Sequence, residues 1–310
     1  MPFPHILLAI LAAALWGGNV LAIHYSLEQF PPLLLVVLRF LPLALITVLL
    51  VPWPRVRVKH LLLFGLGTGT VQFIGLYLGL AAGFPVGLSA LVLSAAAPFT
   101  VLLGRIFLRE TLSAGTAAGV GTALLGLCLV GAVRAEPTAL IPFLLVILGA
   151  LGWAFGNLTV RQARTDRPSA LVLWMSVVPP LPMLVASLLI EGPEQVLEAL
   201  LTSGTAEAIP AWLGLGYTIL LGTVAAPVIW VWLMRRHPAG TVAPYSLLVP
   251  VVGMLAAWAT LGEHPHPAEL AGSALVLAGV LLGSGLASRR RHNLCGDRLH
   301  RLEDHLKENP

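Results

Sequence analysis

Apolar residues fill this chain in ten long runs, at 4–24, 31–51, 60–82, 86–108, 113–133, 139–160, 168–190, 210–233, 239–261 and 267–287, with short polar breaks between them. About 20 apolar residues in helical form cross a hydrocarbon core, so each run predicts one membrane-spanning helix. Period-two alternation, the mark of a transmembrane barrel, is absent. The first run has no basic leader and no small-residue cleavage pattern, and reads as a retained helix rather than a signal peptide.

Composition agrees with the pattern. The chain is 57% hydrophobic and 10% charged, where a soluble domain carries about 25% charged residues. Charge placement then tests the count of ten. Ten crossings put all but two of the 18 basic residues on one side, in the breaks at Arg55–Lys59, Arg105–Arg109, Arg161–Arg167 and Arg235–Arg236 and in the tail. Arg134 stands alone opposite, and Arg39 lies inside a run. Basic loops stay cytoplasmic, so both termini are expected there.

Halfway along, the pattern restarts. Gly222-Thr223-Val224 repeats Gly69-Thr70-Val71 at an offset of 153 residues, and Glu263 and Gly272 follow Glu110 and Gly119 at the same offset. Trp153-Ala154-Phe155-Gly156-Asn157 echoes Trp16-Gly17-Gly18-Asn19. Five helices per half is an odd number, so the halves insert with opposite orientation. The expected fold is an all-α integral membrane protein of ten transmembrane helices in two inverted five-helix repeats, 1–136 and 137–287. A basic cytoplasmic tail, 288–310, follows. The loop at 191–209 is acidic and longer than its partner at 52–59; it reads as a connector, with a short interfacial helix as the alternative.

Two matched breaks draw the eye to chemistry. Ser94-Ala95-Ala96-Ala97-Pro98 and Ser246-Leu247-Leu248-Val249-Pro250 sit 152 residues apart inside apolar runs. Proline removes one backbone donor and frees the carbonyl four residues earlier, and in lipid such a group must face protein, water or a ligand. Matched interruptions in two inverted halves point to a transporter's substrate site. Pro98 and Pro250 are the expected hinges, with Ser94, Ser246 and neighbouring Tyr245 beside the path. Helix packing is the competing role for each proline taken alone.

Other polar residues inside the runs are weighed against core packing. Asn19 and Asn157 are mid-helix amides at symmetric places. Gln72, Tyr77 and Trp230 could border a cavity or simply pack. Arg39 lies roughly 12 Å along its helix at 1.5 Å per residue, and a central arginine costs about 2.5–3.5 kcal/mol on insertion scales. No intramembrane carboxylate is available to it, so its partners are carbonyls, side-chain oxygens, water or a substrate carboxylate. Glu110 and Glu263, at helix ends, read as structural charges. The 14 acidic residues all fit loops, tails or helix ends, which suits a facilitator, or coupling through a group near the surface.

No HExxH, Walker or GxSxG pattern occurs, and nothing would bind ATP. No cofactor or catalytic residue is assigned. His292, Cys295, His300 and His305 in the tail fit no standard zinc spacing, so no metal is assigned. Cys128, mid-helix, and Cys295, in the tail, do not pair.

Ten helices in two inverted halves, with Trp16-Gly17-Gly18-Asn19, Leu38-Arg39-Phe40 and Glu110, resemble the EamA family of the drug/metabolite transporter superfamily. Pro31-Pro32-Leu33, Gln72-Phe73, Gly87 to Leu93 and above all Val242 to Gly253 resemble its bacterial O-acetylserine/cysteine exporter branch. That resemblance implies export of amino acids or related metabolites across the bacterial inner membrane, through a central cavity lined by both repeats. The run Ser94 to Pro98 departs from the glutamines of that branch and makes the wall less polar. The expected partners are a small-molecule substrate and membrane lipid, with no nucleic acid; a homodimer stays open. The alternative reading is an intramembrane lipid-modifying enzyme or a lipid flippase subunit.

Overall fold

The computed structural model describes residues 1–163, 165–237 and 239–283. The tail, with the lipid-contact and zinc readings made for it, lies outside the described residues. Among the described residues there are only helices, and nine are long and apolar enough to cross a membrane. They are α1 (Phe3–Leu27), α2 (Pro32–Leu50), α3 (Val58–Ala81), α4 (Val86–Leu108), α5 (Ala114–Val133), α6 (Pro137–Ala163), α7 (Ser169–Glu191), α9 (Ala206–Arg236) and α10 (Pro244–Leu261). The short amphipathic α8 (Pro193–Thr202) makes the long acidic loop more than a plain connector, and α11 (Pro267–Gly283) is the shorter tenth apolar helix.

The breaks gather in two layers. One layer joins Arg55 to Asp166 (3.5 Å), Arg161 to Glu110 (2.7 Å), Arg235 to Ser169 (3.4 Å) and His5 to His237 (2.6 Å). The other joins Gln29 to Ala199 (2.8 Å), Glu191 to Leu33 (2.6 Å), Glu263 to Val86 (2.7 Å) and Arg134 to Glu269 (2.6 Å). Each helix runs from one layer to the other, as ten crossings require. Tryptophan marks the borders: Trp174 donates to the Val51 carbonyl in the first layer and Trp212 to the Ser203 carbonyl in the second.

Helix pairing carries the internal repeat. Pairing α1 with α6, α2 with α7, α3 with α9, α4 with α10 and α5 with α11 as equivalents maps the main contacts onto themselves. The contact of α3 with α6 becomes that of α9 with α1, and α4 with α6 becomes α10 with α1. Contacts of α2 with α7, α4 with α10 and α5 with α11 map onto themselves. Local backbone repeats too. A π-helical stretch widens α3 over Gly65–Val71 and α9 over Thr218–Ala225, and α4 and α10 end in left-handed residues, Arg109 (φ 54°) and Gly262 (φ 65°).

In lipid, apolar surface gives helices little reason to associate, so close approach through small residues takes over. A Cβ on Gly126 would lie 2.5 Å from the Gly272 carbonyl oxygen, and Gly119 abuts Gly279 and Gly283, which welds α5 to α11. Gly115, one turn earlier, has only the Ser113 hydroxyl, 3.9 Å from its Cβ position. The glycines of α3 serve two faces: Gly67, Gly75 and Gly79 meet α6, while Gly65 and Gly69 meet α7.

Candidate functional site

The helices that carry Pro98 and Pro250 both break, and at equivalent residues. In α4 the helix restarts at Ala96 after the turn at Ser94–Ala95, and in α10 it restarts at Leu248 after a tighter 3-10 turn over Ala243–Leu247. Each restart lies two residues before its proline. The Ser94 carbonyl freed by Pro98 accepts the Ala97 N–H at 3.1 Å, and the Ser94 hydroxyl donates to the Ala90 carbonyl at 3.0 Å. The turn is thus internally satisfied and survives without a ligand. Pro98 and Pro250 are buried, whereas Ser94, Tyr245 and Ser246 are half-buried.

Arg39 lies at the centre, 4% exposed. Its Nη1 donates to the Tyr77 hydroxyl and its Nη2 to Thr223 Oγ1, both at 2.9 Å. The guanidinium carbon stands 4.1 Å from the Phe73 ring centre, a cation–π contact. Arg39 therefore joins α2 to α3 in its own half and to α9 in the other. Thr223 is set up for this by the π-turn, since its hydroxyl donates to the Thr218 carbonyl five residues back (2.8 Å) and presents its lone pairs to Arg39. Among the described residues no carboxylate pairs with the guanidinium, and its Nε has no partner.

The other buried side-chain atoms without a partner among the described residues are Asn19 Oδ1, Gln72 Oε1 and the hydroxyls of Thr68, Thr70 and Thr218. Asn19 presses on Gly222, next to Thr223. Gln72 precedes Phe73 and is 8% exposed. Asn157, the counterpart of Asn19, is occupied, donating to Thr100 Oγ1 at 3.2 Å. The residue 152 positions after Thr100 is Val252, which has no hydroxyl to offer Asn19.

Of the residues singled out in the sequence, Arg39 and Tyr77 come together; Asn19 lies against Gly222, and Gln72 is buried with its backbone against α6. Asn157 is engaged with α4 instead. Trp230 packs on Trp16 at 5.4 Å between ring centres, and Tyr245 packs on the small cluster of Ala9, Leu233 and Val242. Thr223, Thr218 and Phe73 are the members that sequence reading missed. The repeated Gly-Thr-Val was the available signal, because it marks both π-turns.

Packing is uneven along the bundle. All eight residues of α4 before the break, Val86–Leu93, are buried, against Ala96, Pro98 and Gly104 alone in the 13 after it. In α2 the burial is continuous from Leu33 to Val37 and then reaches Arg39 and Phe40. Both buried stretches lie toward the layer holding Glu191 and Glu263. In that layer a cavity of about 380 Å³ is lined by His24, Phe84, Leu88, Arg134, Glu263 and Glu269, among others. Among the described residues no group of three or more His, Cys, Asp or Glu residues is arranged to hold a metal.

This architecture of two pseudo-equivalent halves has relatives. The model of the EamA-like transporter family matches residues 3–132 and 140–285. The chain belongs to the EamA-like transporter family. A probable amino-acid metabolite efflux pump of Salmonella typhimurium is 35% identical over 296 residues, covering 93% of this chain and 98% of that protein. Its namesake in Escherichia coli is 33% identical, covering 89% and 93%. A solved crystal structure shares the fold, with a TM-score of 0.61 at 19% identity, over 92% of this chain and 97% of that one. The chain is a multi-pass membrane transporter of this family and not an enzyme, which sets aside the lipid-modifying enzyme.

Proposed function

We propose that the protein exports amino acids or related small metabolites across the bacterial inner membrane by alternating access between its two five-helix repeats, 1–136 and 137–287. The efflux-pump relatives and the family support the direction and the substrate class. The observation that carries the reading is the contrast within α4, fully buried on one side of the Ser94–Ala95 break and loosely packed on the other. Such a contrast is what a transporter closed on one side and open on the other requires. Every described basic loop residue except Arg134 lies in the layer on the loose side, so basic-inside placement makes this the cytoplasm-facing state.

In this reading the substrate enters past Trp16 and Trp230, reaches the polar cluster at mid-depth and meets the sealed outer half. Pro98 and Pro250 are the hinges about which the half-helices reorient. Transport proceeds as a facilitator, or with coupling at a surface group. Production in a bacterial host, with membrane levels checked, tests the assignment. Amino acids or their derivatives accumulating in the medium above the empty-vector level are expected; an unchanged medium at normal membrane level would overturn it.

A further inference from the structure

Two histidines meet in the basic layer, where α1 begins and α9 ends. His5 lies in the first turn of α1, and His237 closes α9, its backbone N–H donating to the Leu233 carbonyl at 3.0 Å. His5 Nδ1 and His237 Nε2 stand 2.6 Å apart, with the rings inclined at 62°. A neutral imidazole has one donor and one acceptor nitrogen, so this bond holds one proton between the two facing nitrogens. It ties the earlier half of the chain to the later half.

The packing beneath the pair is modest. Ala9, Leu233 and Val242 form a small core of their own, apart from the main one. Trp232 meets His5 edge-on, 5.0 Å between ring centres, and the Arg236 guanidinium stands 4.0 Å from the Trp232 ring centre. Regions with few buried contacts open locally at low cost. Deeper along the same seam, Trp16 Nε1 donates to the Gly222 carbonyl at 3.1 Å, and Trp16 and Trp230 pack with 5.4 Å between ring centres.

Protons decide whether the end of this seam is held. One added proton, on His5, leaves His237 Nε2 as the acceptor. A second, on His237, sets two cations face to face with no acceptor between them. The charges bearing on His237 are His5, the amino terminus and Arg236, all of which oppose a further positive charge. Arg235 turns away to Ser169 (3.4 Å), and Tyr245 packs on the small core from its 3-10 turn. Burial first, and then those positive neighbours, hold the His237 imidazole below its ordinary value of 6.5. The fold therefore favours neutral His237: the bond stands above pH 6.5 and is lost as the pH falls through the lowered value.

We propose, resting on the exporter reading, that the His5–His237 bond is a pH latch on the cytoplasmic side. Acidification of the cytoplasm opens the seam between α1 and α9, widens the entrance past Trp16 and Trp230 and speeds export.

The test uses the full chain with Cys128→Ser, Cys295→Ser and Ala9→Cys, because Ala9 is 0% exposed beneath the pair. In detergent, its reaction with a maleimide is followed from about pH 7.5 to about pH 5.5, an interval that spans imidazole titration. Each rate is divided by that of free cysteine at the same pH, which removes the thiol's own ionisation. The normalised rate rises several-fold as the pH falls. His5→Asn, whose amide both donates and accepts, keeps a bond to either form of His237 and stays slow throughout. His5→Phe has no bond to offer and stays fast throughout. In proteoliposomes, efflux of a radiolabelled amino-acid mixture rises over the same interval of internal pH at constant external pH, and stays flat in His5→Asn. A normalised rate that is flat with both histidines present overturns the latch without recourse to any variant at residue 5. A rising rate with efflux indifferent to internal pH overturns the control of export and leaves the exporter reading intact. No amino-acid flux at any pH overturns the exporter reading and the control of export with it.

Discussion

The Glu263 carboxylate accepts the backbone N–H of Val86 at 2.7 Å, and its second oxygen takes the N–H of Gly87 at 2.9 Å. The start of α4 has no capping side chain of its own, so a loop from the opposite repeat satisfies the exposed donors and the helix dipole at once. Glu191 does the same for α2, accepting from Leu33 (2.6 Å) and Leu34 (3.1 Å). Two carboxylates from the later half of the chain thus hold the starts of two helices of the earlier half. Hydrogen bonds to a charged group contribute about 1.5–3 kcal/mol. Glu263→Gln is expected to loosen the outer seal. In a background of Cys128→Ser and Cys295→Ser, a cysteine replacing Leu91, which is 0% exposed, then reacts with an impermeant maleimide from outside about tenfold faster. An unchanged rate would remove Glu263 from the closure.

Glu269 is 2% exposed and bonds Arg134 through its Oε1, at 2.6 Å from Nη2 and 2.7 Å from Nε, while Oε2 accepts the His266 N–H at 2.8 Å. Removing one partner of a buried pair leaves an uncompensated charge. Arg134→Ala is expected to cost about 3–5 kcal/mol, read as a lowered Tm in detergent. Arg134→Leu combined with Glu269→Leu removes both charges and restores much of the loss.

The weld of α5 to α11 gives a paired test. Gly126→Ala places a methyl against the Gly272 backbone, whereas Gly121→Ala meets nothing within 4 Å. Overpacking of this kind costs about 1–3 kcal/mol. Gly126→Ala therefore lowers Tm and Gly121→Ala leaves it in place; equal behaviour would contradict the packing.

Much of this was legible from the order of residues. Apolar runs located the helices because lipid permits little else, and the offset of the Gly-Thr-Val and serine–proline pairs located both breaks. Arg39 stood out because the sequence offers it no carboxylate at its depth. Its hydroxyl partners did not stand out, since Tyr77 and Thr223 reach it only through the packing of α2 on α3 and α9. The π-turn that orients Thr223 is a backbone feature that glycine-rich sequence permits without demanding it. Glu263 looked like an ordinary helix-end charge because its partners are backbone N–H groups, which carry no residue signature.

The prolines make a prediction about rate. The Ser94–Ala95 turn is satisfied internally, so Pro98→Ala and Pro250→Ala leave insertion and Tm near wild type. Each restores a helical donor and stiffens the hinge, and is expected to slow flux several-fold. Wild-type flux in both variants would reduce the prolines to packing features.

The central claim, export by alternating access, is tested most directly by efflux from proteoliposomes of known orientation, with side-specific labelling run alongside. Single cysteines replacing Ser94, at the break, and Leu91, above it and 0% exposed, are labelled from each side with and without amino acids during turnover. The account predicts saturable efflux, Ser94→Cys accessible from the cytoplasmic side at rest, and Leu91→Cys accessible from outside only during turnover. Efflux with Leu91→Cys protected throughout, or both positions open to one side at all times, would contradict it.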